Sequence, residues 1–180
     1  MPFALYFCQM KVLPIALWFS ALACLGACTT VPQYPAAPSI SFGDVYFKEG
    51  SPSDVIVLTI QFKDGDGNLG LDNSDILNPP FQELNQDSTP NRNRFNIFPV
   101  LYRKSGDQYD SISDGYRGIF PRLREGSNAG PIEGIITYEL RSLNFFQEDS
   151  SIAKIKVYIQ DRSLNRSNVV ETPPFPVVYR

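Results

Sequence analysis

The sequence predicts an all-β protein: an antiparallel β-sandwich of about seven strands with two long loop insertions. Three observations carry that prediction. Two segments, residues 55–62 and 153–160, alternate with a period of two. No segment sustains the 3.6-residue apolar period of a core helix. Gly, Pro, Asn and Asp divide the chain into short pieces, as turns between strands require. Ile56, Leu58, Ile60 and Phe62 interleave with Val55, Val57, Thr59 and Gln61, so both faces are fairly apolar and the strand reads as central. Ala153, Ile155, Val157 and Ile159 interleave with Lys154, Lys156, Tyr158 and Gln160. One dry face and one wet face mark an antiparallel sheet.

The remaining elements follow in chain order. Ile40 to Phe47 is a weaker strand whose alternation slips by one residue at Gly43-Asp44, where a bulge restores it. Phe95 to Arg103 is a strand in which Pro99 demands an edge or a bulge. Lys104-Ser105-Gly106-Asp107 turns it into a hairpin with Gln108 to Ile112. Ile135 to Leu140 is a further strand. Val169 to Tyr179 holds Pro173, Pro174 and Pro176, which suit a final edge strand that must not recruit neighbours. Single helical turns are expected at Ser142 to Ser150 and just after Asp72. Residues 72–95 and 114–131 exceed ordinary loop lengths, and function is expected in those insertions rather than in the strands.

The strand order resembles the immunoglobulin and fibronectin III group over roughly residues 40 to 180. The strongest local match is Ile155 to Asn168: a strand, Asp161, a polar turn through Asn165, then Ser167-Asn168 opening the last strand. The inter-sheet cysteines and core tryptophan of antibody domains are missing. The resemblance implies that the loop after the second strand and the loop before the last lie at the same end.

The N-terminus carries an address. Lys11, the apolar run Val12 to Leu25 and small residues before a cut site read as a secretory signal. Leu25-Gly26-Ala27-Cys28 resembles the lipobox of bacterial lipoproteins, a match confined to residues 10 to 28. It implies acylation of Cys28 through sulfur, with Cys28 as the new N-terminus. The expected organisation is then a signal peptide over 1–27, a lipidated tether over 28–39 containing Pro32, Pro35 and Pro38, and the sandwich over 40–180. The alternative, a membrane anchor, needs roughly 20 apolar residues. Val12 to Ala27 is shorter, is broken by Pro14 and Ser20, and has no basic cluster after it. Residues 1–9 put apolar sequence ahead of the local charge, so initiation at Met10 is the alternative start. Thr29 lacks the acidic residue that retains some lipoproteins in the inner membrane; the resemblance therefore implies the outer membrane of a bacterial cell envelope.

Composition limits the chemistry. There is no histidine, which excludes Ser-His-Asp triads, Cys-His dyads and imidazole zinc sites. The lipobox resemblance implies that Cys8 and Cys24 leave with the signal and that Cys28 carries lipid, so the mature chain is expected to have neither a free thiol nor a disulfide. Loss of Lys11 leaves 15 basic against 19 acidic side chains. Arg92, Arg94, Arg103, Lys104, Arg117, Arg122 and Arg124 interleave with Asp107, Asp110, Asp114 and Glu125, which reads as a mixed-sign surface without a nucleic-acid patch. A binding protein rather than an enzyme is expected.

One loop has site-like chemistry. In the twelve residues Asp64 to Asp75, oxygen side chains stand at positions 1, 3, 5, 9 and 12: Asp64, Asp66, Asn68, Asp72 and Asp75. That is the spacing by which an EF-hand wraps calcium. Position 6 is Leu69 instead of Gly, position 12 is Asp instead of Glu, and a strand precedes the loop. It therefore resembles the DxDxN calcium turns of extracellular domains, with affinity expected at about 10⁻⁴ to 10⁻³ M. Plain turn chemistry is the alternative, since Asp, Asn and Gly favour turns without a ligand. The sandwich topology brings Asp161 to the same end as a sixth candidate ligand.

Other constellations specify less. Glu133 with Glu139, or Asp107, Asp110 and Asp114, could supply a glycosidase carboxylate pair. Tyr102, Tyr109, Tyr116, Phe120, Phe145 and Phe146 form either a sugar-stacking platform or ordinary packing. The leading expectation is a lipid-anchored, non-enzymatic binding or assembly module, with the membrane and an envelope protein or glycan as partners. A carbohydrate-active enzyme or glycan-binding accessory is the competing class, and a structural subunit of an envelope complex the third.

Overall fold

The computed structural model describes residues 32–50, 53–124, 130–141 and 150–178. Its strands are β1 (Ser39–Lys48), β2 (Val55–Asp64), β3 (Ile97–Ser105), β4 (Gln108–Ser113), β5 (Ile132–Leu140), β6 (Ser150–Ile159), β7 (Val170–Glu171) and β8 (Phe175–Val178). One helical turn, α1 (Asn73–Ile76), and a 3-10 turn at Arg92–Arg94 lie between β2 and β3. The helical turn expected after Asp72 is α1; the one at Ser142 to Ser150 falls almost wholly outside the described residues. Among the described residues, no helix is long and apolar enough to cross a membrane.

Two antiparallel sheets form, one ordered β1-β2-β5 and the other β4-β3-β6-β7, with β8 also pairing β6. The first, second and fifth strands thus lie in one sheet and the rest in the other, as two antiparallel sheets of a β-sandwich. Burial follows the alternation. Ile56, Leu58 and Ile60 from β2 meet Leu101 from β3 and Ile155, Val157 and Ile159 from β6, each at most 1% exposed. At roughly 1.5–3 kcal/mol per buried aliphatic side chain, this inter-sheet layer is the main stabilising term.

The irregular points have local causes. The register of β1 against β2 shifts between Phe42 and Asp44, so a bulge sits at Gly43 as the slipped alternation requires. Ile97 exchanges both backbone hydrogen bonds with Gly118, while β4 joins that side of β3 only from Leu101 onward. Pro99 points its ring nitrogen into the gap between them, and no ladder hydrogen bond is lost. The expected last strand is instead two short ones, because Pro173 and Pro174 stop the ladder between β7 and β8.

Part of the expected tether belongs to the domain. Pro38 is buried, the Pro35 carbonyl accepts from Gly65 N–H at 2.9 Å, and the Tyr34 hydroxyl donates to Glu133 at 2.7 Å. Asn168 closes the open edge of β1: it accepts from Ile40 N–H and donates to Ile40 C=O, both at 2.9 Å.

Strand direction decides where the loops go. β2 and β6 end, and β3 and β5 begin, at one apex. The segment 65–96, the described residues of 114–131 and the turn 160–169 therefore all emerge there.

Candidate metal centre

Two insertions that long would be costly to order unless they packed on each other. They do. Leu71 N–H donates to Phe120 C=O at 3.1 Å and Leu123 N–H to Leu69 C=O at 3.2 Å. Buried Asn96 donates to Phe120 C=O and accepts from Phe120 N–H, both at 2.8 Å. Leu69, Leu71 and Phe120 are drawn into the core. Gly70 makes the crossing feasible, since at φ +92° it lies against the Pro121 and Arg122 backbone where a Cβ would clash.

Within this apex, Asp64 from the last position of β2, Asp66 from the loop after it and Asp161 from the turn after β6 each offer an oxygen within 4.8 Å of the others. Asp64 is fully buried and Asp161 is 2% exposed. The surroundings hold these carboxylates without neutralising them. Asp64 Oδ2 accepts from Asn68 N–H at 3.0 Å. Asp66 accepts from Asn68 N–H at 3.3 Å and from the Asn68 amide at 2.9 Å. Asp161 accepts from Asn165 N–H at 2.7 Å and from its amide at 2.9 Å. Arg162, adjacent to Asp161, turns away to donate to the carbonyls of Leu69 and Gly70.

Burial, with the charges of Asp66 and Asp161 beside it, pushes the Asp64 carboxyl up to about 6 despite the Asn68 and Gly67 amides. Its Oδ1 has no hydrogen-bond partner, and neither has the buried Asn68 Oδ1. An unpaired carboxylate oxygen in such a place costs free energy unless a cation meets it. An all-oxygen donor set from three carboxylates suits a hard divalent cation.

The twelve-residue EF-type reading is corrected here. Asp72 and Asp75 do not join the triad; they form a capping box on α1, with Asp75 N–H donating to Asp72 and Asp72 N–H to Asp75, each at 2.9 Å. Arg122 from the second insertion pairs with both, at 2.9 Å from Nε to Asp75 and 3.1 Å to Asp72. That salt bridge pins one insertion to the other and satisfies the charge that a metal would otherwise have met. Asp161, argued from topology alone, lies beside Asp64 and Asp66. No family model, curated protein or solved structure matches the chain.

Other sequence candidates separate on geometry. Glu133 and Glu139 share one face of β5 but stand six residues apart, about 20 Å along a strand. A glycosidase pair needs about 5–9.5 Å. Phe120 is core, and Tyr116 packs against it. Tyr102 and Tyr109 lie on the outer face of the second sheet, each beneath a lysine ammonium. Phe145, Phe146, Cys28 and the residues before Cys28 lie outside the described residues. Arg122, Asn96 and Asn165 organise the apex, yet nothing in their sequence surroundings distinguishes them from surface or turn residues.

Proposed function

We propose that the chain is a lipid-anchored protein of the bacterial cell envelope, held through Cys28, and that its domain is a non-enzymatic binding or assembly module whose insertion apex is clamped by calcium. The observation that carries the calcium reading is the unpartnered, fully buried Asp64 oxygen within a three-carboxylate cluster drawn from two distant segments. Asp64, Asp66 and Asp161 would hold the ion, with Asn68 beside them. Calcium fits better than magnesium because loop carboxylates of this kind do not impose octahedral geometry. The role of the ion is mechanical: it links the end of β2 to the turn after β6, and so fixes the loops that present a binding surface. The anchor reading rests on the Leu25-Gly26-Ala27-Cys28 resemblance.

Three measurements test this. Millimolar calcium should raise the melting temperature of the protein, and Asp64→Ala with Asp66→Ala should abolish that rise; no rise in the wild type refutes the clamp. Affinity purification of the tagged protein from its own membrane, with and without chelator, should recover a partner whose yield falls when calcium is removed. Recovery of the chain in the soluble fraction, without incorporated fatty acid, refutes the anchor.

A further inference from the structure

The outer face of the β4-β3-β6-β7 sheet concentrates positive charge on a chain that is net negative. Cross-strand register puts Lys104 opposite Tyr109, Tyr102 opposite Lys154 and Phe98 opposite Tyr158, all on one face. Lys154 lies over the Tyr109 ring at 4.5 Å and Lys156 over Tyr102 at 5.3 Å. Phe98 and Tyr158 stack at 4.6 Å. Arg92 lies over Phe98 and Arg166 over Tyr158. Among the described residues, five cations thus share this face with one carboxylate, Glu171, which pairs with Lys154 at 3.0 Å and Lys156 at 3.5 Å. The chain as a whole has a formal charge of −3. Of the basic residues that read in sequence as a mixed-sign surface, Arg92 and Lys104 lie on this face, where Lys154, Lys156 and Arg166 join them.

How the cations are held matters more than their number. A carboxylate partner neutralises a cation, whereas an aromatic ring positions it and leaves its charge in place. Rings here hold Arg92 and Arg166, while Lys154 and Lys156 lie over rings and share the one carboxylate of Glu171, so the face is a preorganised array with a net excess of positive charge. Preorganisation lowers the entropy cost of binding. The ligand must then be anionic. It must also be hydrophilic, because the rings a protein partner would use as apolar anchors are already covered. Covered rings also cannot stack nucleotide bases.

We infer that this face binds an acidic polysaccharide, a carboxylate-bearing glycan chain laid across β3 and β6. The choice of glycan as the polyanion rests on the envelope reading; the charge array itself does not. The face is separate from the carboxylate apex, so the two are testable apart.

The test measures binding of the full-length chain in detergent to polygalacturonate, in chelator-containing buffer so that calcium cannot bridge uronates to the apex. Neutral dextran, single-stranded DNA and phosphatidylglycerol vesicles are the comparison probes. Polygalacturonate should bind, dextran should not, and raising salt from about 50 to about 200 mM should weaken binding at least about tenfold. Lys154→Gln with Lys156→Gln should weaken it about tenfold or more with an unchanged melting temperature, and Lys154→Arg with Lys156→Arg should retain it. Equal binding by wild type and the Gln variant, or by dextran, overturns the proposal. Tighter binding to DNA or to the vesicles than to polygalacturonate overturns the choice of glycan. Because the measurement is made on purified protein, a failed membrane-localisation experiment leaves its outcome unaffected.

Discussion

Replacing Asp64 by Asn separates the burial of a charge from the binding of a metal. The Asp64 carboxyl titrates at about 6 in the folded protein against 3.8 for the free group. The folded state therefore binds this proton more tightly than the unfolded chain does. Stability from this group is fully present below about pH 3.8, declines as pH rises, and is lost once pH passes about 6. A shift of about two units corresponds to a ceiling of about 3 kcal/mol. Asp64→Asn keeps the shape, can still accept from Asn68 N–H, and gains an amide donor facing Asp66 and Asp161. At pH 7.5 without metal the variant should be about 1–3 kcal/mol more stable than wild type. For a domain of this size, at about 2–4 °C per kcal/mol, that is a rise of about 2–12 °C in Tm. At pH 4 the advantage should largely vanish. With about 5 mM calcium and a Kd of about 10⁻⁴ to 10⁻³ M, wild type should gain about 1–2 kcal/mol and the variant none. Differential scanning calorimetry at both pH values, with calcium and with chelator, reads all of this. A variant less stable than wild type at pH 7.5 refutes the uncompensated buried charge. Equal calcium stabilisation of both proteins refutes the metal site.

Other perturbations distinguish the parts of the apex. Asp161→Ala should abolish calcium stabilisation, whereas Asp72→Ala should leave it intact while costing about 1 kcal/mol from the lost cap; a calcium response that disappears in Asp72→Ala would restore the twelve-residue loop reading. Asn96→Ala should cost about 1–3 kcal/mol in urea unfolding, because it strands the buried Phe120 amide and leaves the Phe120 carbonyl with Leu71 N–H alone; a loss below about 0.5 kcal/mol would show that the insertions are not pinned there. Cys28→Ser should end fatty-acid incorporation and release the chain from membranes, as read by labelling with a clickable palmitate analogue; undiminished labelling would refute lipidation at that residue.

The strands were legible because one rule places them. Once Ile56, Leu58, Ile60 and Phe62 must face inward, the register of β2 is set, and a slip by one residue would turn all four out of the inter-sheet core. The bulge at Gly43 was visible for the same reason, as the point where alternation failed. Asp161 was legible through topology: two strands ending at one apex bring together residues that sequence distance keeps apart. Asp72 and Asp75 were misread because spacing along a chain says nothing of where the chain turns. Leu69 is fully buried and Leu71 nearly so. Drawing them inward carries the chain across the end of the sandwich, and Asp72 emerges facing Arg122 rather than Asp64. The departure of Leu69 from the glycine of an EF-hand was the signal, since a leucine there is core rather than hinge. Arg122 had no signal at all, because its partners are set by how two insertions pack.

The apex also bears on how the domain would hold together without disulfides if, as proposed, it is exported and Cys28 carries lipid. Asp64 and Asp161 are roughly a hundred residues apart, and a persistent cross-link over that separation would restrain the unfolded chain by about 4–5 kcal/mol. A weakly bound ion supplies only about 1–2 kcal/mol at millimolar concentration, because it is lost when the chain unfolds. The inter-sheet core does not need that contribution, as the buried layer of β2, β3 and β6 is continuous without it. The contribution would fall instead on the loops that a bound ion would touch directly. Residues 65–70 and 160–165 would be ordered with calcium and locally looser without it, while the strands stay folded. Amide hydrogen exchange can see this: calcium should slow exchange at Asn68 and Asn165 with little change in β2 and β6. Uniform slowing across the strands would mean that the ion stabilises the whole fold and leaves the apex no more switchable than the core.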